Sequence, residues 1–103
     1  MFHDIPYVTP SGEPADASAE VYFYGLSFCD HCTAGKQLLE EMNVPFAMVY
    51  LDQLEPAQRR PVLRAFRETY GKQVIYPVLE VNGNYTFGFN REVWSEILQP
   101  VSQ

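Results

Sequence analysis

Between residues 20 and 51, a short apolar run, a helical pattern and a second short apolar run follow one another, and this succession limits the possible folds most. Residues 20–26 are rich in aromatic and β-branched side chains, which is typical of a strand buried on both faces. Apolar residues then recur with helical spacing over residues 32–42, and residues 46–51 predict a second strand. A strand–helix–strand unit of this size implies a right-handed parallel pair of strands, which is the start of an α/β sandwich.

The second helix is predicted from two prolines and a glycine. Pro56 and Pro61 both favour first-turn positions, so we expect the helix to form near Pro61 and to run to Tyr70. Gly71 is suited to end it. The side chains predicted to form its buried stripe are Val62, Leu63, Phe66 and Tyr70.

A hairpin and a last helix complete the predicted order β-α-β-α-β-β-α. Residues 78–81 and 84–87 read as strands joined by Asn-Gly at 82–83, which is the strongest short-range signal for a two-residue hairpin turn. Asn90 is suited to cap a final helix that Pro100 ends. The side chains predicted to cover the sheet from this helix are Val93, Trp94, Ile97 and Leu98.

The length and charge of the chain narrow its class. The chain has 103 residues, which suits one domain with a single core, and we divide it into an extended, proline-rich arm (1–18) and the domain (19–103). Its net charge of −6 argues against nucleic acid as a partner. We recognise no signal peptide and no stretch long enough to span a bilayer, so we expect a cytoplasmic protein that does not bind membranes. We also expect a monomer.

Two cysteines lie where the first strand gives way to the first helix, in the order Cys29, Asp30, His31, Cys32. Unpaired N–H groups and the positive end of the helix dipole favour a thiolate at Cys29, which is therefore the expected nucleophile. Cys32, one turn later, can resolve a mixed disulfide on Cys29. His31, if protonated, would stabilise the thiolate and Asp30 would oppose it, so both are expected to tune the pair.

A metal half-site is the alternative interpretation of the same pair, since two thiolates at this spacing also suit zinc or an iron–sulfur cluster. Only His3 and His31 offer nitrogen ligands, and His31, between the cysteines, is badly placed to share one ion with them. A zinc site would therefore need a second chain. We predict no metal ligands within this chain.

The residues around the cysteines resemble the glutaredoxin family. The similarity opens with Tyr-Gly-Leu-Ser-Phe-Cys-Asp-His-Cys at residues 24–32, continues through 34–39 and 43–46, and extends to about Leu98. Ile-Tyr-Pro at 75–77 resembles the family's Thr-Val-Pro. The resemblance implies a thioredoxin-like three-layer sandwich around a four-stranded mixed sheet, with a cis peptide before Pro77 beside the cysteines.

The same resemblance implies where substrate or glutathione would bind. The backbone of Tyr76 beside Pro77 would pair with an extended substrate segment or with glutathione, and Gly88, Phe89 and Asn90 would complete the site. The helix that Asn90 caps offers its amino terminus to a carboxylate. The chain departs from glutathione-binding members in having Phe89 in place of a second glycine and Leu26 in place of a lysine. Gly88-Phe89 resembles instead the redoxins that donate electrons to ribonucleotide reductase.

We therefore expect a dithiol thiol–disulfide oxidoreductase of the glutaredoxin kind, serving electron transport and cell redox homeostasis. Its substrates would be protein disulfides or glutathione mixed disulfides, and its electron source would be glutathione, as a co-substrate, or a thioredoxin-reductase-like flavoprotein. No tightly bound cofactor is expected. The alternatives are a glutaredoxin-like module that holds a metal or an iron–sulfur cluster between two chains, and a redox sensor that closes the Cys29–Cys32 disulfide without turnover.

Two surface features have functional and purely structural interpretations. Arg60, Arg64 and Arg67, with Arg59 and Lys72 nearby, would meet an acidic partner or a tripeptide carboxylate, or would be only a solvated helix face. Four aromatic residues are candidates for an apolar rim around the thiols, although single exposed aromatics need no special role. These are Tyr24, Phe28, Tyr76 and Phe89.

Overall fold

The computed structural model describes residues 2, 5–15 and 19–101. Its elements follow the predicted order: β1 (Val21–Gly25), α1 (Asp30–Glu41), β2 (Ala47–Tyr50), α2 (Pro56–Tyr70), β3 (Val78–Val81), β4 (Asn84–Phe87) and α3 (Arg91–Leu98). Single 3-10 turns, Leu51–Gln53 and Gln99–Val101, follow β2 and α3. The bounds of β3 and β4 and the end of α2 are the predicted ones, and the other boundaries differ by at most two residues, except at the start of α2.

The four strands form one mixed sheet, as predicted, and they lie in the order β2-β1-β3-β4. β1 pairs with β2 in parallel, and β3 pairs antiparallel with both β1 and β4. Asn82 (φ 50°) and Gly83 (φ 85°) both adopt the left-handed conformation that a type I′ turn requires, so the predicted hairpin is confirmed. The carboxyl end of β1 and the start of β3 therefore lie side by side at the same end of the sheet.

Helices cover both faces of this sheet, which makes the fold a three-layer sandwich. Phe23 of β1 packs in the cluster that holds Leu39 of α1 and Trp94 of α3. Tyr24, the next residue along, points to the opposite face and packs with Phe66 of α2. Successive residues of β1 thus serve two different cores, which explains why all five are buried.

The helix α2 begins at Pro56, so the prediction that it forms near Pro61 is wrong. Glu55 and Gln58 form a reciprocal capping box, and Pro56 occupies the first helical position, where its missing N–H costs nothing. Pro61 is exposed within the helix, and the burial of Phe66 against the sheet outweighs the hydrogen bond that Pro61 cannot make. The capping box was the sequence signal for the earlier start.

One predicted core position is also wrong. Val93 is 43% exposed, so it does not cover the sheet, whereas Trp94 and Leu98 are fully buried. In a helix of eight residues only a narrow stripe can face the sheet, and Val93 lies beside that stripe.

Part of the predicted arm packs on the domain. The backbone of Val8 exchanges two hydrogen bonds with Met48 of β2, at 2.9 and 2.8 Å. Tyr7 is buried, and its hydroxyl lies 2.8 Å from that of Tyr24, which in turn donates to Glu80 Oε1 at 2.7 Å. Because the single proton of Tyr24 goes to Glu80, Tyr7 must donate to Tyr24. The division of the chain at residue 18 stays a prediction, since residues 16–18 lie outside the described part.

Candidate functional site

The sulfur of Cys29 caps α1. Cys29 has an extended backbone (φ −157°, ψ 111°) and its Sγ accepts the N–H of Cys32 at 3.2 Å, as an N-cap oxygen does in other helices. The cap places the amino terminus of α1 at Cys29, as expected, although the apolar helical pattern begins only at Cys32. Cys29 is half-buried and forms no disulfide with a described residue. A hydrogen bond and a helix amino terminus both stabilise negative charge on this sulfur.

Cys32 lies behind Cys29 and is 2% exposed. The pKa of the Cys32 thiol is raised to about 12, mainly by burial and next by the hydrogen bond with the Cys29 side chain, whereas the Leu26 N–H, 3.4 Å from Cys32 Sγ, acts to lower it. Gly25 leaves room for the buried side chain of Cys32, since a β-carbon at residue 25 would lie 3.5 Å from Cys32 Cβ and 2.7 Å from the ring of Phe23. The pair is therefore asymmetric, with one accessible sulfur and one shielded thiol.

The two residues between the cysteines, Asp30 and His31, are both exposed. Asp30 occupies the first turn of α1, where the helix dipole favours a carboxylate. No described hydrogen bond joins either side chain to a cysteine, so any tuning by them acts through space.

Ser27 and Asp52 form a polar clamp that the sequence analysis missed. Asp52 Oδ1 accepts the Ser27 N–H at 2.9 Å, and Asp52 Oδ2 accepts the Ser27 hydroxyl. The hydroxyl bond lowers the pKa of Asp52. The clamp fixes the loop two residues before Cys29 to the turn after β2. Because the partners are 25 residues apart, no local pattern indicates it.

The loop before β3 is tied to the loop before α3. The Tyr76–Pro77 peptide bond is cis, and the N–H of Gly88 is shared between the carbonyls of Ile75 (3.1 Å) and Pro77 (2.9 Å). Gly88 has φ +82°, and a side chain there would lie 3.1 Å from Ile75 Cγ2. The structure therefore brings the predicted site residues Tyr76, Pro77 and Gly88 together.

Trp94 joins this pair of loops to the helix of the cysteines. Its Nε1 donates to the carbonyl of Gly88 at 3.0 Å, and Phe89 meets its ring edge-on, with centroids 5.0 Å apart. Gly35 of α1 lies against both Trp94 and Pro77. Buried contacts thus connect α1 to Gly88 and Phe89.

Asn90 serves as the cap of α3, as predicted from the sequence. Its Oδ1 accepts the Val93 N–H at 3.1 Å, while the residue itself is exposed. The capping oxygen is therefore already engaged. The remaining N–H groups of this helix end are what a carboxylate would meet.

Three of the four residues proposed for the apolar rim fit that role. Phe28 is 97% exposed beside Cys29, and Tyr76 and Phe89 are half-buried. Burial raises the pKa of Tyr76, the nearby Cys32 raises it further and the Arg67 cation lowers it, and the side chain of Tyr76 packs against both cores. Tyr24 does not belong to the rim, because it is fully buried and points into the α2 core.

Among the described residues, no group of three or more His, Cys, Asp and Glu side chains could hold a metal ion. His3, one of the two histidines weighed as ligands, lies outside the described residues. None of the described helices combines the length and hydrophobicity that a membrane span requires.

Comparisons with known proteins place the chain in a family. The family model described as Glutaredoxin matches residues 21–86, which is more than half of the chain. The glutaredoxin of Archaeoglobus fulgidus is 30% identical over 81% of this chain and 89% of its own, with a TM-score of 0.71. A Methanosarcina mazei glutaredoxin is 26% identical to this chain, and the match covers 92% of this chain and 99% of that one, with a TM-score of 0.68.

A more distant structure, buckwheat glutaredoxin in complex with glutathione, shares the fold at 17% identity, covering 82% of this chain and 77% of its own, with a TM-score of 0.66. A search of curated proteins found no significant match. The fold is thus thioredoxin-like, as the sequence resemblance implied, and the chain belongs to the glutaredoxin family.

Proposed function

We propose that this protein is a dithiol oxidoreductase that reduces protein disulfides or glutathione mixed disulfides through Cys29 and Cys32. The observation that carries the proposal is the geometry of the two cysteines. Cys29 Sγ caps the amino terminus of α1 by accepting the Cys32 N–H at 3.2 Å, and Cys32 is buried behind it. Membership of the glutaredoxin family supports thiol–disulfide chemistry of this kind.

The reaction follows from this asymmetry in two exchange steps. The Cys29 thiolate attacks one sulfur of the substrate disulfide, forming a mixed disulfide and releasing the other sulfur as a thiolate that takes up a proton. Cys32 then loses its proton and attacks Cys29 Sγ, which releases the second substrate thiol. The substrate gains two electrons and the protein is left with a Cys29–Cys32 disulfide. Glutathione or a thioredoxin-reductase-like flavoprotein returns the electrons.

The raised pKa of Cys32 orders these steps. At neutral pH Cys32 remains a thiol, so it does not compete with Cys29 for the incoming disulfide. Cys32 becomes reactive only after Cys29 is bound in the mixed disulfide, when the proton of Cys32 can pass to the departing substrate sulfur. This order explains why one sulfur is shielded and the other accessible.

We infer that the substrate lies along the loop of Tyr76 and Pro77 and against Gly88, Phe89 and Asn90. The hydrogen bonds of Gly88 to Ile75 and Pro77 hold these loops together, and Trp94 fixes them to the helix of the cysteines. The buckwheat complex supports glutathione as one occupant only through the shared fold. We place the protein in the cytoplasm as a monomer, where a reducing environment keeps both thiols free.

The first test is a pair of coupled assays, in which the oxidised protein is reduced by glutathione with glutathione reductase, or by thioredoxin reductase alone. Turnover with glutathione would show that Phe89 and Leu26 leave the tripeptide site functional. Turnover only with thioredoxin reductase would favour the redoxin interpretation. Inactivity with both would contradict the proposed function and favour metal binding or sensing.

Two variants test the roles of the cysteines. Cys29→Ser should abolish all reductase activity, because the attacking sulfur is gone. Cys32→Ser should stop protein-disulfide turnover and accumulate a mixed disulfide on Cys29, visible by mass spectrometry as a mass increase that dithiothreitol reverses. Undiminished dithiol turnover in Cys29→Ser would overturn the mechanism.

A further inference from the structure

Basic residues are concentrated in one short stretch of this acidic chain. Five of the seven lysines and arginines, but only one of the thirteen acids, lie within residues 59–72. Most of that stretch belongs to α2. Most of the positive charge of the protein is thus gathered on one helix and just after it, while the rest of the chain is acidic.

Three of these bases are free to meet a partner. Arg60, Arg64 and Arg67 are all exposed and follow one another at spacings of four and three, so they share one helix face, which we call the arginine face. No described residue forms an ion pair or a hydrogen bond with the side chains of these three arginines. Arg59 instead donates to the Leu54 carbonyl, and Lys72 lies over the ring of Tyr70.

The arginine face is only partly explained by the stability of α2. Arg67 lies in the last turn, where the helix dipole favours a cation, and Glu68 lies four residues after Arg64. Arg60 and Arg64, however, are like charges four residues apart, which destabilise a helix. A solvated surface helix would usually alternate its charges. The cost therefore points to a role outside the fold.

The arginine face ends beside the thiols. Tyr70, three residues after Arg67, stacks on Phe87 with centroids 4.6 Å apart, and Phe87 pairs with Val78, the residue after Pro77. The Arg67 cation also acts on the phenol of Tyr76, which in turn is close to Cys32. A polypeptide segment bound along the Tyr76–Pro77 loop would thus run past the last turn of α2.

We propose that the arginine face receives acidic side chains of the protein substrate, so that Cys29 selects disulfides flanked by aspartate or glutamate. This inference rests on the proposed function and names its substrate class. Exposed charges act mainly on the rate of encounter and are screened by salt, so the selection should appear in the association step. Phe28, 97% exposed beside Cys29, would add an apolar contact.

The test uses three peptides with the same internal disulfide, flanked by aspartate, serine or lysine. The protein is reduced beforehand and freed of reductant, and the second-order rate of its oxidation by each peptide is measured at low and high salt. The protein should react about tenfold faster with the aspartate peptide than with the lysine peptide at low salt, and this preference should shrink at high salt.

Variants assign the preference to its residues. The triple variant Arg60→Gln, Arg64→Gln, Arg67→Gln should lose the preference while keeping its rate on the serine peptide. The control Arg91→Gln removes an exposed arginine that pairs with Glu41 on another helix, and it should keep the preference. All substitutions are at exposed positions, and melting curves would check the fold.

The outcomes separate the two proposals. Equal rates on the three peptides, or an equal loss on all three in the triple variant, would overturn the arginine face and leave the proposed function standing. Failure of the unaltered protein to react with the serine peptide would contradict the proposed function, and the inference would fall with it.

Discussion

Replacing Gly35 by alanine tests how tightly the helix of the cysteines is packed against the rest of the site. Gly35 lies in the middle of α1, and a β-carbon built there would be 3.0 Å from both Cη2 and Cζ3 of Trp94 and 3.3 Å from Pro77 Cγ. Trp94 cannot easily move away, because it is fully buried and its Nε1 donates to Gly88.

Two opposing effects set the magnitude. Alanine in place of glycine stabilises a helix interior by about 0.5–1 kcal/mol. Overpacking a well-filled core costs about 1–3 kcal/mol. We therefore expect Gly35→Ala to destabilise the protein by about 1 kcal/mol, and to lower the melting temperature by roughly 4–8 °C for a domain of this size.

The assay is urea denaturation followed by the fluorescence of Trp94, the single tryptophan of the chain. Gln37→Ala, at an exposed position of the same helix, is the control and should change stability by less than about 0.5 kcal/mol. A Gly35→Ala protein that is more stable by about 1 kcal/mol would refute the reasoning, because the helix would then have gained its propensity without any packing cost.

Three further predictions use titration and the polar clamp. Cys32, with a pKa of about 12, should resist iodoacetamide at pH 8 while Cys29 is alkylated, and equal labelling by mass spectrometry would contradict its shielding. The folded-state pKa of Tyr7 is raised by burial from 10 to about 12, so its contribution to stability is complete below pH 10 and decreases as pH rises through 12. Tyr7→Phe should therefore lose about 2 kcal/mol less than the parent protein between pH 10 and pH 12 in urea titrations, and an unchanged pH dependence would speak against this burial. Asp52→Ala should speed hydrogen exchange of the Ser27 amide, whereas Asp52→Asn, which keeps an acceptor for that N–H, should largely preserve its protection; equal exchange in both variants would argue against the clamp.

Local patterns were sufficient to predict most of the fold. The strands 78–81 and 84–87 were predicted with their observed bounds, because the Asn-Gly turn between them fixes the register. The predicted start of α2 is too late, because the prediction rested on Pro61, whereas the capping box begins one residue before Pro56.

The site was less predictable, since its geometry depends on residues far apart in sequence. Position at a strand–helix junction made Cys29 a recognisable candidate cap. The clamp between Ser27 and Asp52 joins two loops that only the sheet brings together. Tyr24 was predicted to lie in the rim, yet side chains alternate along β1, and its side chain packs in the core on the α2 side of the sheet. Only the three-dimensional packing decides which of two faces such a residue occupies.

The pairing of Val8 with Met48 has a consequence for self-association. β2 is the outermost strand on its side of the sheet, and an uncovered outer strand offers free backbone groups to any other extended chain. Val8 occupies two of those groups, at 2.9 and 2.8 Å, in the middle of a strand of only four residues. The amino-terminal segment thus covers part of the outer edge of β2, which leaves fewer free backbone groups to which a second chain could add as a further strand.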